Sequence, residues 1–234
     1  MSAWLVHFYT ASGAVAALLA TRAIYEPDIR AVFLWLTAAA IVDATDGWLA
    51  RLARVRERAP ELDGARLDDI VDYLTFVFVP VLIMLETGVL RPPAALPAAA
   101  AVLLASAYGF SRLDAKTDDY FFTGFPSYWN VVAFYLLALG TPPGVSAALL
   151  LFLAALVFVP IGYLYPSRTP ALRGLTLALG AIWGVMIGVG VWQLPTPDRT
   201  LVLVSLFFPV YYTALSVYLH SRRTTPVRLR PDAT

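Results

Sequence analysis

The sequence predicts an all-α, polytopic integral membrane protein, a bundle of about eight transmembrane helices. Hydrophobic residues make up 59% of the 234-residue chain, charged residues make up only 14%, and the mean hydropathy is +0.71. Soluble domains carry about 25% charged residues, so this composition is typical of a protein that lies in a bilayer. Long apolar segments recur along the chain and are separated by short breaks that contain proline or charge.

Eight apolar segments approach the length of about 20 residues that a membrane-spanning helix needs. They cover residues 4–22, 31–50, 69–89, 93–112, 126–141, 145–165, 173–193 and 199–220. The breaks contain helix-ending sequences such as Pro92-Pro93 and Pro142-Pro143-Gly144. The fifth segment is the shortest, so we expect it to tilt or to begin in an interfacial stretch.

The Lys and Arg residues between the segments predict the orientation. Only Arg22, Arg30, Arg91 and Arg199 of the 17 basic residues fall on one side, whereas the rest fall on the side of both termini. Because cytoplasmic loops are enriched in Lys and Arg, both termini are predicted to be cytoplasmic. Residues 1–221 form one predicted membrane domain, and residues 222–234 form a basic tail that we expect to be disordered near anionic headgroups.

Composition excludes several classes of function. The net charge of +1 gives no argument for nucleic-acid binding. The absence of cysteine excludes disulfides and thiolate metal sites, and two histidines make an imidazole-rich zinc site unexpected.

Acidic residues form the most unusual feature of the chain. Five aspartates lie at or inside the ends of the second and third segments, namely Asp43, Asp46, Asp68, Asp69 and Asp72. An Asp at the centre of a spanning helix costs about 2.5–3.5 kcal/mol, and less near its end. Carboxylates in these places therefore need pairing, hydration or a metal ion.

Helical spacing places most of these residues on two faces. The first face holds Asp43, Asp46, Gly47 and Ala50, and the second holds Gly64, Asp68 and Asp72. A short loop joins the two helices, so we expect them to be antiparallel neighbours whose acidic faces meet at the cytoplasmic membrane surface.

Hard divalent cations such as Mg²⁺, Mn²⁺ and Ca²⁺ relieve the repulsion between clustered carboxylates. The glycines at 47 and 64 leave room for a ligand to approach the helix backbone, or merely permit close helix packing. Together with Arg51, the set suits a bound pyrophosphate. Asp63 and Asp69 are equally compatible with a simple position at the interface.

The acidic residues and their neighbours form the pattern Asp43-x2-Asp46-Gly47-x2-Ala50-Arg51, then twelve residues, then Gly64-x3-Asp68-x3-Asp72. This pattern resembles the signature of the CDP-alcohol phosphatidyltransferases. These integral membrane enzymes displace CMP from a CDP-linked substrate with an alcohol. The twelve-residue spacer is longer than in most of the family and resembles the phosphatidylcholine synthase branch, which uses CDP-diacylglycerol and free choline. The stretches AWLVHFYTASGAVAALLA, DIVDYLTFVFVP and residues 106–135 also look like that branch.

The resemblance implies roles for the matching residues. Two divalent cations, Mg²⁺ or Mn²⁺, would be held by Asp43, Asp46, Asp68 and Asp72. Asp72 would also act as general base toward the choline hydroxyl. The CDP pocket would be lined by Asp43, Asp46, Gly47, Ala50, Arg51, Gly64 and Asp68. The family further implies a homodimer among membrane lipids, in a bacterial inner membrane, with the active site facing the cytoplasm. Asp69 falls outside the pattern and receives no role.

Choline has no N–H donors, so its recognition is expected to use aromatic faces. The candidates near the motif and in the loop before the fifth segment are Tyr73, Phe76, Tyr120, Phe122, Tyr128 and Trp129. Aromatic residues also populate membrane interfaces generally, which is the competing explanation. Arg112 and Lys116 are candidates for a lipid phosphate, or they are simply positive-inside residues.

Two other functions stay open at this point. One is a phosphatidyltransferase for another acceptor, such as serine, inositol phosphate or glycerol phosphate, although an anionic acceptor would favour a more basic pocket. The other is a membrane ion transporter. Transporters usually place such carboxylates near the bilayer midplane on broken helices, often within repeats, and this sequence shows no repeat.

Overall fold

A computed structural model describes residues 2–26 and 28–223, so nearly all of the predicted tail lies outside the described residues. The described helices are α1 (Ala3–Ile24), α2 (Ile29–Leu52), α3 (Val55–Arg58), α4 (Gly64–Asp72), α5 (Val79–Glu86), α6 (Ala95–Ser111), α7 (Trp129–Ala138), α8 (Pro143–Phe158), α9 (Arg173–Trp192), α10 (Arg199–Ser205) and α11 (Phe207–Ser221). A π-helical turn, Tyr73–Phe78, joins α4 to α5.

The prediction of an all-α membrane protein is confirmed. Three helices, α1, α2 and α9, are long and apolar enough to cross a membrane, and so is the stretch Arg199–Ser221 that α10 and α11 form. The helices α6, α7 and α8 are apolar but shorter. Each of the eight predicted segments contains helix, although the helices do not fill all of them. The number of crossings and the side of the termini stay predictions.

Proline explains two irregularities in the helices. The ring of a proline within a helix clashes with the carbonyl four residues earlier. Pro209 would clash with the carbonyl of Ser205, and the helix is interrupted there, between α10 and α11. Pro80 would meet the carbonyl of Phe76, and the widened π-helical turn lies there.

Large apolar side chains cover much of the exposed surface, as expected where lipid replaces water. Phe8, Leu18, Leu96 and Val185 are all more than half exposed. The buried positions of α1 are instead mostly small residues, among them Ala16, Ala17, Ala20 and Ala23. Small residues let helix backbones approach closely, which is how membrane helices associate.

The chain divides into two compact units. The first comprises the chain up to Gly88 together with Tyr128–Phe134, and the second comprises Val89–Ser127 and the chain from Tyr135. In the first unit α1 packs against α2, α4 and α5. In the second unit α6 packs against α8, and α9 packs against α10 and α11. The assignment of residues 1–221 to one membrane domain stays a prediction.

A small antiparallel sheet in the second unit was not predicted. It pairs β1 (Phe121–Thr123) with β2 (Gly162–Leu164). The predicted sixth span, which ran to residue 165, is wrong at its end, because α8 stops at Phe158. Pro160 accounts for the stop, since the residue before a proline is pushed out of the helical conformation. From α11, Ser216 Oγ accepts a hydrogen bond from the Leu164 amide, which fixes β2.

The twelve-residue spacer between α2 and α4 is folded around α3. Its apolar residues Ala53, Val55 and Ala59 are buried against Ala3 and Val6 of α1. Asp63, whose role the sequence left open, caps α4: its Oδ1 accepts hydrogen bonds from the amides of residues 65 and 66 at 3.0 and 3.2 Å. The long spacer thus fixes where the helix of the second acidic face begins.

Candidate metal and nucleotide site

Three carboxylates of α2 and α4 meet beside α1, the helix that packs against both. Asp43 comes from α2, and Asp68 and Asp72 come from consecutive turns of α4. One oxygen of each lies within 4.8 Å of the other two, and all three residues are partly buried. The two acidic faces that helical spacing predicts therefore do converge.

This group has the chemistry of a divalent-cation site. Carboxylate oxygens are the ligands that Mg²⁺, Mn²⁺ and Ca²⁺ prefer, and three of them this close can share one ion. Three carboxylates this close would repel one another in the ionised state, and a bound cation removes that repulsion. The residues present therefore fit a metal ion.

Asp46 has a different environment from the other three. It is 7% exposed, and its Oδ2 accepts a hydrogen bond of 2.7 Å from Thr10 Oγ1 on α1. Within the described residues, the three-carboxylate group does not include it. One residue before, Thr45 is hydrogen-bonded to the Tyr9 hydroxyl at 2.8 Å. The first helix thus supports the first half of the motif, a contribution that sequence reasoning missed.

The two motif glycines differ in what surrounds them. A Cβ on Gly47 would lie 3.5 Å from Arg51 Nη1, the far end of a flexible and exposed side chain. A Cβ on Gly64 would lie 3.1 Å from His7 Cε1, which is a tight contact with a buried ring. Ala50, also predicted to line the pocket, packs against the cluster around α3.

His7 is a second residue that sequence reasoning missed. Its ring is 5% exposed, and Nε2 has no hydrogen-bond partner within residues 2–26 and 28–223. The signal that could have drawn attention to His7 is the stretch HFYT. In this stretch a second polar residue follows the histidine by three positions within an apolar helix.

Known proteins resemble this chain over nearly its whole length, although no protein-family model matches it. The phosphatidylcholine synthase of Legionella pneumophila is 39% identical over 226 residues, which are 93% of this chain and 88% of that protein. That of Pseudomonas aeruginosa is 36% identical over 94% of this chain and 92% of its own. That of Borreliella burgdorferi is 32% identical over 93% and 94%.

The chain belongs to the phosphatidylcholine synthase family. The resemblance inferred from the spacing of the acidic motif is thereby confirmed. These matches also cover most of both compact units.

Four of the six aromatic candidates for choline recognition lie in the first unit, which also contains the carboxylates. Tyr73 directly follows Asp72 and opens the π-helical turn. The ring centroids of Phe76 and Tyr128 are 6.3 Å apart at an angle of 58°. Trp129 is fully buried.

The remaining aromatic candidates, Tyr120 and Phe122, lie in the second unit. The guanidinium of Arg168 lies 6.0 Å from the ring centroids of both Tyr120 and Tyr165, and the Phe122 ring lies 4.8 Å from that of Tyr165. Tyr120 thus already has a cation beside its ring.

The basic candidates for contact with a lipid phosphate, Arg112 and Lys116, also lie in the second unit. Arg112 donates two hydrogen bonds to Asp114, at 2.7 and 2.6 Å. These bonds raise the pKa of Arg112 and lower the pKa of the Asp114 carboxyl. The charge of Arg112 is therefore paired within its own loop, and Lys116 forms an isolated β-bridge with Phe122.

Proposed function

We propose that the chain is a phosphatidylcholine synthase, an enzyme of phospholipid biosynthesis that transfers the phosphatidyl group of CDP-diacylglycerol to free choline and releases CMP. The observation that carries the proposal is the group formed by Asp43, Asp68 and Asp72, with one oxygen of each within 4.8 Å of the others, in a member of this family. Membership of this family disfavours the alternative of an ion transporter.

Two divalent cations, Mg²⁺ or Mn²⁺, are part of the proposal. The three clustered carboxylates and Asp46 would hold them, and the chemistry that the cations supply when bound is neutralisation of the charge on the diphosphate. The buried hydrogen bond from Thr10 keeps one oxygen of Asp46 in a fixed place, which supports a positioned rather than a mobile ligand.

Asp72 is the proposed general base. Its carboxylate would accept the proton of the choline hydroxyl as the hydroxyl oxygen forms a bond to the phosphorus that bears diacylglycerol. The bond from that phosphorus to the bridging oxygen breaks, and CMP leaves with that oxygen and its electron pair. Asp72 ends α4, one turn after Asp68 and directly before the π-helical turn, and it belongs to the three-carboxylate group, which supports this role.

The nucleotide would lie against the glycine faces of the motif. Gly47 is exposed and carries no side chain, and Arg51 Nη1 lies close to the space above it. A guanidinium in that place can donate hydrogen bonds to a diphosphate. Gly64 differs from Gly47, because the buried ring of His7 lies against its side.

Choline recognition is proposed for Tyr73, Phe76 and Tyr128, because these aromatic residues share a unit with the carboxylates. A quaternary ammonium gains about 0.5–2 kcal/mol from each aromatic face that it contacts. The tilted pair of Phe76 and Tyr128 offers two such faces from different parts of the chain.

The proposal also includes a location in a bacterial inner membrane, with the active site facing the cytoplasm, and a homodimer. The distribution of Lys and Arg supports the orientation. The homodimer rests on the family resemblance.

An assay of purified protein with CDP-diacylglycerol, labelled choline and Mn²⁺ tests the proposal. We expect labelled phosphatidylcholine and CMP in equal amounts, and no product when the metal is chelated. The same assay with serine, inositol phosphate or glycerol phosphate in place of choline is the control for acceptor specificity. Robust release of CMP with one of these acceptors, and none with choline, would assign the enzyme to another alcohol.

A further inference from the structure

Three of the described arginines in the second unit are partly buried, and one of these three lacks a carboxylate partner. Arg112 is paired with Asp114, and Arg223 is paired with Asp119, each at 2.6 Å. The side chain of Arg168 forms neither an ion pair nor a hydrogen bond within the part of the chain that the structure describes. A cation that is partly removed from water loses free energy unless an acceptor meets it, so Arg168 is suited to an acceptor from outside the protein.

The turn that carries Arg168 is held in place by buried hydrogen bonds. The amides of Arg168 and Thr169 both donate to the carbonyl of Tyr165, at 2.9 and 2.8 Å. Thr169 is 3% exposed, and its Oγ1 accepts from the Tyr165 amide at 2.8 Å and donates to the Tyr120 carbonyl at 2.7 Å. A guanidinium on such a turn loses little conformational freedom when it binds a ligand.

Aromatic rings surround the guanidinium but do not use up its donors. It lies 6.0 Å from the ring centroids of both Tyr120 and Tyr165, and the ring of Phe122 lies 4.8 Å from that of Tyr165. The rings attract the cation, whereas its N–H groups still need oxygen acceptors. The hydroxyl of Tyr165 also has no hydrogen-bond partner among the described residues. Neighbouring N–H and O–H donors of this kind are typical of a phosphate site.

The place of Arg168 in the chain indicates the level of the lipid headgroups. The helix α9 begins at Arg173, soon after the turn, and it is long and apolar enough to cross a membrane. Tyrosines and arginines at the end of a spanning helix usually lie among the headgroups, where lipid phosphates are found. The distribution of Lys and Arg predicts that this loop is on the cytoplasmic side, whose leaflet contains anionic lipids.

We propose that Arg168, together with the hydroxyl of Tyr165, binds the phosphate of an anionic phospholipid of the surrounding bilayer. A zwitterionic phospholipid would bring its own ammonium group close to the guanidinium, and the two cations would repel each other. The site therefore favours anionic lipids. The carboxylates of the proposed active site belong to the other compact unit, so the inference goes beyond the proposed function.

Titration of purified full-length protein with phosphatidylglycerol tests the inference, in a neutral detergent with a metal chelator and with bound lipid counted by native mass spectrometry. We expect the wild type to bind phosphatidylglycerol more tightly than phosphatidylethanolamine, which is zwitterionic. Arg168→Gln should weaken the binding of phosphatidylglycerol by about tenfold, because it removes the charge-assisted hydrogen bonds. Arg173→Gln removes the same charge at an exposed position nearby and is the matched control, which should bind like the wild type.

Two further variants separate the parts of the site. Arg168→Lys keeps the charge but loses the planar donor group, so its affinity should lie between those of the wild type and Arg168→Gln. Tyr165→Phe keeps the ring and removes only the hydroxyl, and we expect binding to weaken by about threefold. Because Tyr165→Phe leaves the turn and the charge in place, it tests the site even if Arg168→Gln folds poorly.

Three outcomes would overturn the inference. The first is wild-type affinity for phosphatidylglycerol in folded Arg168→Gln or, where that variant does not fold, in Tyr165→Phe. The second is equal weakening by Arg173→Gln, which would indicate general surface charge rather than a site. The third is a KM for CDP-diacylglycerol that rises about as much as the lipid affinity falls, in detergent free of other lipids, because the phosphate would then be that of the substrate. Failure of the wild type to form phosphatidylcholine would count only against the proposed function.

Discussion

Thr10 Oγ1 donates a buried hydrogen bond of 2.7 Å to Asp46 Oδ2, and this bond ties the first helix to a motif carboxylate 36 residues away. The carboxylate is 7% exposed, so loss of the donor leaves a buried charge less well satisfied. Hydrogen bonds to charged groups contribute more than neutral ones, both to stability and to the orientation of the acceptor.

Thr10→Val, which keeps the shape but removes the hydroxyl, is therefore expected to lower the free energy of unfolding by about 1–3 kcal/mol. It should also raise the Mn²⁺ concentration needed for half-maximal activity, because Asp46 loses its fixed orientation. Thr10→Ser keeps the hydroxyl and is the matched control. Unfolding curves and metal titrations of both variants check the prediction, which is wrong if the two behave alike.

Asp72→Asn is expected to separate binding from catalysis. The amide cannot accept the hydroxyl proton, so we expect turnover to fall by about 10²–10⁴-fold, the usual size of general base catalysis. Binding of CMP should persist, because Asp43, Asp46 and Asp68 remain. Product formation and CMP titration measure the two effects.

Asp69→Asn is the matched control for that variant. Asp69 is the neighbour of a motif residue on the same helix, but it is not in the three-carboxylate group within the described residues. We expect it to keep most of the activity. Near-normal turnover of Asp72→Asn would exclude Asp72 as the base.

Convergence of the carboxylates was predictable because it follows from local rules. Helical spacing fixes which residues share a face, and a short connection makes consecutive helices antiparallel neighbours. Asp43, Asp68 and Asp72 do meet as these rules predict. The rules did not predict that α2 would pack against α1 and against the π-helical turn that follows α4. The lengths of the apolar segments likewise predicted the helices, since the bilayer sets the length of a span.

Contacts that depend on tertiary packing were not predictable in the same way. Thr10 and His7 lie on the same buried face of α1 as small residues such as Ala17 and Ala20. Spacing within the helix shows that these residues share a face, but it does not show that this face contacts the acidic motif. The strands β1 and β2 are three residues each and far apart in sequence, too short for an alternating pattern to be recognised.

Gly64→Ala is expected to disturb His7 rather than α4 itself. An added methyl would lie 3.1 Å from the buried imidazole, so the ring must shift, and we expect a loss of about 1 kcal/mol in stability. His7→Ala removes the ring and should relieve the clash, so the double variant is expected to be more stable than the sum of the single effects. Unfolding curves of the four proteins give this coupling.

Gly47→Ala is the contrast, because its methyl would meet only the mobile end of Arg51 at 3.5 Å. It should unfold like the wild type and lose affinity for CMP alone. Strict additivity of Gly64→Ala and His7→Ala would contradict the contact on which the first expectation rests.

Arg223 joins the end of α11 to the loop that carries β1. Its guanidinium donates to Asp119 at 2.6 and 2.9 Å and lies 4.5 Å from the centroid of the Phe121 ring. Partial burial raises the pKa of Asp119, but hydrogen bonds from Thr117 and Arg223, with the charge of Arg223, outweigh it and lower the pKa below its usual value of 3.8.

Because the pKa of Asp119 is lowered by folding, the pair stabilises the folded state at pH values above the usual pKa of the carboxyl. This contribution is lost as the pH falls through the lower pKa of the folded state. Asp119→Asn should therefore unfold at a lower temperature than the wild type at pH 7, and the difference should shrink as the pH falls below about 4. The carboxylate is 44% exposed, so the effect should stay below about 1 kcal/mol. Unfolding temperatures between pH 7 and pH 3 measure it. Asp118→Asn, one residue away, serves as the charge control, and an equal, pH-independent loss in both variants would contradict a stabilising pair.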